Sequence, residues 1–214
     1  MDISEIQVNV DLLTNRPDMI GRRDLKIQET TIRLHSMDMW QRDMVERLLI
    51  FPTSDPIQLV NLSGLPRFRL FRYVRKYDPS GVNPLTGQNT GAAGDFFEDR
   101  EPDGILNQDR YGDADDNLYY ISGGAGGTQD AVAQFRSFAA FQYLLVAYQQ
   151  NPIVSPIASY SSWLANLYPY AIITIAARSL LMSTGQTEAA KGLEAEANSW
   201  IATLGANVGD IVGR

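Results

Sequence analysis

The stretch from Phe141 to Trp200, FQYLLVAYQQNPIVSPIASYSSWLANLYPYAIITIAARSLLMSTGQTEAAKGLEAEANSW, decides how the rest of the chain is read. No charged residue occurs between Arg136 and Arg178. A run this long without charge points to burial, either against itself or in a membrane. Pro152, Pro156 and Pro169 interrupt it, and Ser155, Ser159, Ser161, Ser162 and Asn166 make its middle polar. The part that stays apolar, Ala171 to Met182, is shorter than the roughly 20 residues of a spanning helix. The expectation is a soluble core.

Within the stretch, Phe141 to Tyr148 reads as a buried strand that stops at Gln149-Gln150-Asn151-Pro152. A helix is expected from Pro169, which suits a first turn because its missing N–H is not needed there, to Ser183. Thr174 and Arg178, four apart, share one face of that helix, and aliphatic residues crowd the remainder. Gly185 ends it. A second helix follows, with Thr187 as the expected N-cap and Glu188 placing a negative charge in the first turn. Ala190, Leu193, Ala197, Trp200, Ile201 and Leu204 give it an apolar face. Gly192 inside it costs about 1 kcal/mol relative to alanine.

Working outward, Ile3, Ile6, Val10 and Leu13 fall at helical spacing. Asn15-Arg16-Pro17-Asp18 breaks the chain, and Asp18 is positioned to cap a helix running to about Ser36. From Met44 the pattern becomes strand-like, with candidates at Met44 to Phe51, Gln58 to Leu62 and Arg67 to Tyr77. The last alternates until Leu70-Phe71, where the phase shifts as at a β-bulge. Glycines and prolines then make Asp78 to Asn117 a long loop, followed by strands at Leu118 to Ser122 and within Val132 to Val146.

The 214 residues allow one large domain or a core with an insertion, and there is no cysteine for disulfides or thiolate metal sites. The N-terminus lacks the basic start and apolar run of a signal peptide. A net charge of -7 argues against a general nucleic-acid binder. That charge is unevenly spread: Arg67, Arg69, Arg72, Arg75 and Lys76 crowd one strand, whereas Asp109, Asp113, Asp115 and Asp116 crowd the following loop. These two groups suit complementary contacts within a chain or between copies, with the five basic residues and Asp113, Asp115 and Asp116 as subunit-interface candidates. The glycine-rich segment from Gly205 to Arg214 is expected to leave the helix as an extended tail, with Val208, Ile211 and Val212 as docking candidates.

No catalytic frame is legible. His35 is the one histidine, and no nucleophile elbow, Walker A run or HExxH is present. Asp113-x-Asp115-x-Asn117 supplies alternating oxygen ligands as calcium loops do, without the glycine and distal Glu such loops need. Paired acids for glycoside hydrolysis are the weaker form of the same alternative. The expectation is a protein with no catalytic site, cofactor or metal.

The order of segments carries a resemblance. Asn15-Arg16-Pro17-Asp18, the helix to Leu34-His35, Trp40-Gln41-Arg42-Asp43, Leu65-Pro66-Arg67-Phe68 and Pro102 to Leu106 come first. Asn117 to Tyr120, Gln150-Asn151-Pro152, Trp163-Leu164-Ala165 and Tyr168-Pro169-Tyr170 follow. In that order the chain resembles the head-to-tail adaptor (connector) proteins of tailed bacteriophages over nearly its whole length. It departs from many of them at Tyr170, where they carry an acid.

The resemblance implies a virion structural protein, assembled in the host cytoplasm and located in the neck. Such a protein forms a ring, typically of twelve copies, below the portal protein, held by terminal segments. Double-stranded DNA passes through its lumen without specific binding, and the next neck, tail or fibre component docks beneath; no membrane is involved. The alternatives are a stopper or tail-tube protein, and a calcium-binding or glycan-processing protein using the acidic loop.

The expected fold is α+β, mainly α: N- and C-terminal helices forming a bundle, with a β-rich insert and a long acidic loop between them. The expected divisions are helices in 1–38, the insert in 39–150 with its loop at 78–117, helices in 151–204, and the tail in 205–214.

Overall fold

A computed structural model describes residues 1–38, 40–81, 91–100, 117–123 and 131–211, the side chains of 207–211 excepted. The elements run α1 (Ile3–Thr14), α2 (Ile20–Ser36), β1 (Met44–Asn61), β2 (Phe68–Asp78), β3 (Ala92–Phe96) and β4 (Glu98–Asp99). After these come β5 (Leu118–Ser122), β6 (Val132–Gln150), α3 (Trp163–Leu167), α4 (Pro169–Ser183), α5 (Thr187–Gly192) and α6 (Glu194–Ile211). The chain divides into two compact units, Met1–Asp43 with Asn151–Arg214, and Met44–Gln150.

The expectation of a mainly α chain with a terminal helix bundle is corrected. Helix accounts for 45% of the structure and strand for 36%, in a six-stranded mixed sheet, and most of the helix lies C-terminal to that sheet. The cause is strand length. Pro52 and Pro56 read as breaks, yet β1 continues through both and spans 18 residues, and β6 spans 19. Proline is tolerated in a strand whose N–H side faces no partner, and β1 is an edge strand.

In the helical unit, α4 is the buried element. Ala171, Ile172, Ala176, Ala177 and Leu180 have no exposed surface, and they pack with Ile6 and Val10 of α1 and Ile27 and Leu34 of α2. Thr174 and Arg178 turn toward α6, as their shared face predicts: Thr174 Oγ1 donates to Glu196 (3.3 Å) and Arg178 Nη2 to Glu194 (2.9 Å). Gly185 (φ 79°) ends α4; its N–H bonds Met182 O, and Gln186 N–H bonds Leu181 O, so the last carbonyls of the helix find donors.

Three local expectations fail. Asp18 does not cap α2; its carboxylate takes the guanidinium of Arg16 instead, and Met19 is the N-cap. Thr187 lies inside the first turn of α5 with Gln186 as N-cap, and the helix breaks at Gly192–Leu193 because no neighbouring side chain fills the glycine's place. Nor does the chain leave the helix at Gly205, since α6 continues to Ile211. The N-terminal start is better made than the periodicity alone predicts. Asp2 and Glu5 form a reciprocal capping box on α1.

In the β unit, β6 is central. Its C-terminal half pairs antiparallel with β1 on one side and β2 on the other, and its N-terminal half with β1 and β5. β3 pairs antiparallel with β2, and β4 parallel with β5. One face of β6 buries Phe135, Leu144, Val146 and Tyr148 fully, against Phe71, Val74, Phe97 and Phe141. Much of that core is aromatic, with Phe71, Phe97 and Tyr119 each within 5.8 Å of the Phe135 ring. The irregularity expected at Leu70-Phe71 lies on either side of it, as register shifts in β2 between Phe68 and Leu70 and between Phe71 and Tyr73.

Candidate functional site

The helical unit contains one chain of polar groups with the order of a hydrolase relay. His35 Nδ1 lies 2.7 Å from Asp43 Oδ2, and His35 Nε2 lies 2.8 Å from Ser162 Oγ. The carboxylate can only accept, so Nδ1 carries the proton; in the neutral ring Nε2 is then the acceptor for the serine hydroxyl. Trp163 Nε1 donates to the other oxygen of Asp43 (2.8 Å), and its ring meets that of His35 edge-on at 5.6 Å.

The surroundings are those of a structural knot. His35, Asp43 and Ser162 are all buried. The serine oxygen also accepts from Leu164 N–H (3.1 Å) as the N-cap of α3. Tyr160, bonded to Thr31, closes the adjacent space, and burial pushes its phenol above the usual range against the pull of Thr31 and Ser162. Among the described residues the relay is buried, and it joins α2, the turn at Asp43 and the start of α3.

The β unit offers a different kind of site. Among the described residues β1 pairs with β6 alone, so along its other side the main-chain groups have no strand partner. On the face of β1 turned away from the core lie Leu48, Ile50, Ile57 and Leu59, which are 42 to 65% exposed. Long edge strands carrying apolar residues recruit another chain unless they are blocked. Across the same face the cross-strand register runs Leu48–Leu145–Arg75–Phe96, with Phe96 56% exposed at the opposite edge. The next row, toward the start of β1, contains Glu46, Ala147 and Tyr73, and the Tyr73 hydroxyl donates to Glu46. Burial and the Glu46 carboxylate push the Tyr73 phenol up to about 12.

The basic candidates line up on or beside β2. Arg67 precedes the strand at φ 55° and donates to Gln150 Oε1 (2.5 Å). Arg75 donates to Gly94 O (3.0 Å) and stacks over Phe96 at 4.2 Å. Arg69 and Lys76 are half-buried and Arg72 is exposed. Arg67 and Arg69 also flank a concavity of about 580 Å³ floored by Leu62, Leu65 and Phe68. The acidic candidates Asp113, Asp115 and Asp116 lie outside the described residues, as does Val212. Val208 and Ile211 fall on the last turns of α6.

The edge of β1 escaped the reading of residues because Leu48-Leu49-Ile50-Phe51 is a continuous apolar run, which ordinarily means burial on both faces. Here only Phe51 is buried and Leu49 half-buried, while Leu48 and Ile50 face out. Among the described residues no cluster of acids and histidine could hold a metal ion, and no helix is long and apolar enough to cross a membrane. Neither the protein-family models nor the curated proteins compared with the chain give a match.

Proposed function

We propose that the chain is a head-to-tail adaptor of a tailed bacteriophage. It forms a ring below the portal protein, extends the DNA channel and offers a platform to the next neck, tail or fibre component. The observation that carries this reading is the exposed edge of β1, a strand built for assembly with another chain rather than for chemistry. The order of sequence segments shared with adaptors supports it, as does the commitment of the only histidine to a buried knot. A net charge of -7 suits a lumen that DNA passes without adhering.

A second reading, a stopper or tail-tube protein, is favoured by the six-stranded sheet, which makes the chain richer in strand than its helical ends predict. One experiment separates them. The purified protein is sized alone and after mixing with the portal protein of the same virus. An adaptor binds the portal as a ring, and loses that binding when residues 205–214, which include the end of α6, are deleted. A stopper ignores the bare portal. Failure to bind it ends the adaptor reading.

A further inference from the structure

We infer that the sheet continues from one copy of the chain into the next, with β1 of one copy lying antiparallel against β3 of its neighbour. The inference rests on the proposed ring and names the surfaces that close it.

Strand direction supplies the first reason. In the C-terminal half of β6 the order across the sheet is β3, β2, β6, β1, and each neighbouring pair is antiparallel. Four alternating strands leave the two edges running in opposite directions. A copy brought alongside by rotation about an axis roughly parallel to the strands therefore presents β3 antiparallel to β1, which is the favoured pairing. A two-fold dimer through β1 alone would leave β3 unused on both copies. Joining unlike edges is the heterologous arrangement that closes into a ring.

Level and chemistry supply the second. Leu48, Leu145, Arg75 and Phe96 form one row across the sheet. Extending that row beyond Leu48 brings the next copy's Phe96 directly opposite. Both residues are on the same face and exposed, and an aromatic–aliphatic pair is a stabilising cross-strand combination. Among the charges at the two edges, Glu46 already accepts from Tyr73, while Arg47 on β1 and Asp95 on β3 are exposed and of opposite sign. Among the described residues β3 pairs with no strand but β2, as β1 pairs with none but β6.

The absence of cysteine makes the test clean. In the double variant Leu48→Cys, Phe96→Cys the two positions of one copy are separated by β6 and β2, three strand spacings of roughly 4.8 Å each, which is beyond the reach of a disulfide. Opposed residues of joined strands, with Cα atoms about 4.5–5.5 Å apart, are within it.

Oxidation in the portal-bound assembly should give a ladder of covalent multimers running past the dimer, and each single-cysteine variant should stay monomeric on a denaturing gel. Dimers from Leu48→Cys alone would replace this junction with a two-fold one. A ring that assembles on the portal with no ladder would overturn the junction and leave the adaptor reading standing. A protein that neither self-associates nor binds the portal would remove both. Both positions are solvent-exposed, so unchanged circular dichroism of the variants distinguishes a failed junction from a failed fold.

Discussion

The helical unit and the β unit handle their polar groups in opposite ways. In the first, Asp43 accepts from both His35 and Trp163, and Ser162 serves His35 and the first turn of α3 together, with His35, Asp43 and Ser162 buried. In the second, among the described residues, a strand of 18 residues leaves one side of its main chain without a strand partner. The helices also carry exposed apolar residues, Leu12 and Ile20 among them, but a helix satisfies its own backbone and a strand edge cannot. One unit is closed by its hydrogen bonds; the other has, among the described residues, a strand edge that the proposed junction would complete.

The sharpest way to break that comparison is at Asp43. Replacing it with alanine strands two donors, the buried His35 Nδ1 and the part-buried Trp163 Nε1, and is expected to cost about 3–5 kcal/mol of stability in urea unfolding. A loss under about 1 kcal/mol would mean that the knot is not a structural element, because each orphaned donor alone is worth that much.

An intermediate effect is expected in alkali, and it belongs to the β unit. Burial, with Asp99 nearby, pushes the Tyr119 phenol up to about 12, as burial and Glu46 do for Tyr73. The folded state holds these protons more tightly than the unfolded chain. Their contribution is therefore complete below pH 10.0, the ordinary tyrosine value, and is lost as the pH rises through about 12. Urea midpoints measured across that window should fall, and fall less in Tyr119→Phe. An unchanged slope in that variant would take Tyr119 out of the account.

The smallest effect on stability is expected at Leu48. Leu48→Lys places a charge on the open edge, where it should shift unfolding by no more than about 0.5 kcal/mol while abolishing self-association. If association survives intact, the edge is not the joining surface, and the contrast between the units loses its functional meaning.

What the amino-acid pattern carried follows from where each side chain is satisfied. α4 was legible because Pro169 opens it, Gly185 closes it and Thr174 and Arg178 mark its single polar face. β2 announced even its irregularity, since a phase shift at Leu70-Phe71 has no other cheap explanation. The strand lengths were not legible. Pro52 and Pro56 stop a strand only if their missing N–H was required, and that depends on a neighbour, not on local sequence. Asp18 and Thr187 look like caps in isolation, but Arg16 claims the first and the chain enters α5 one residue early at the second. The knot was invisible for the same reason, because His35, Asp43 and Ser162 are drawn together by folding across more than a hundred residues of chain.

The pairing of Met44 with Gln149 has a consequence for how the chain folds. To the helical unit, everything between Asp43 and Asn151 is a loop of roughly a hundred residues, and closing such a loop unaided is entropically costly. Once β1 zips against β6, the two ends emerge side by side and the effective loop shrinks to a few residues, easing closure by about 3 kcal/mol. The sheet then brings the two ends of the helical unit together, as its core of α1, α2 and α4 requires.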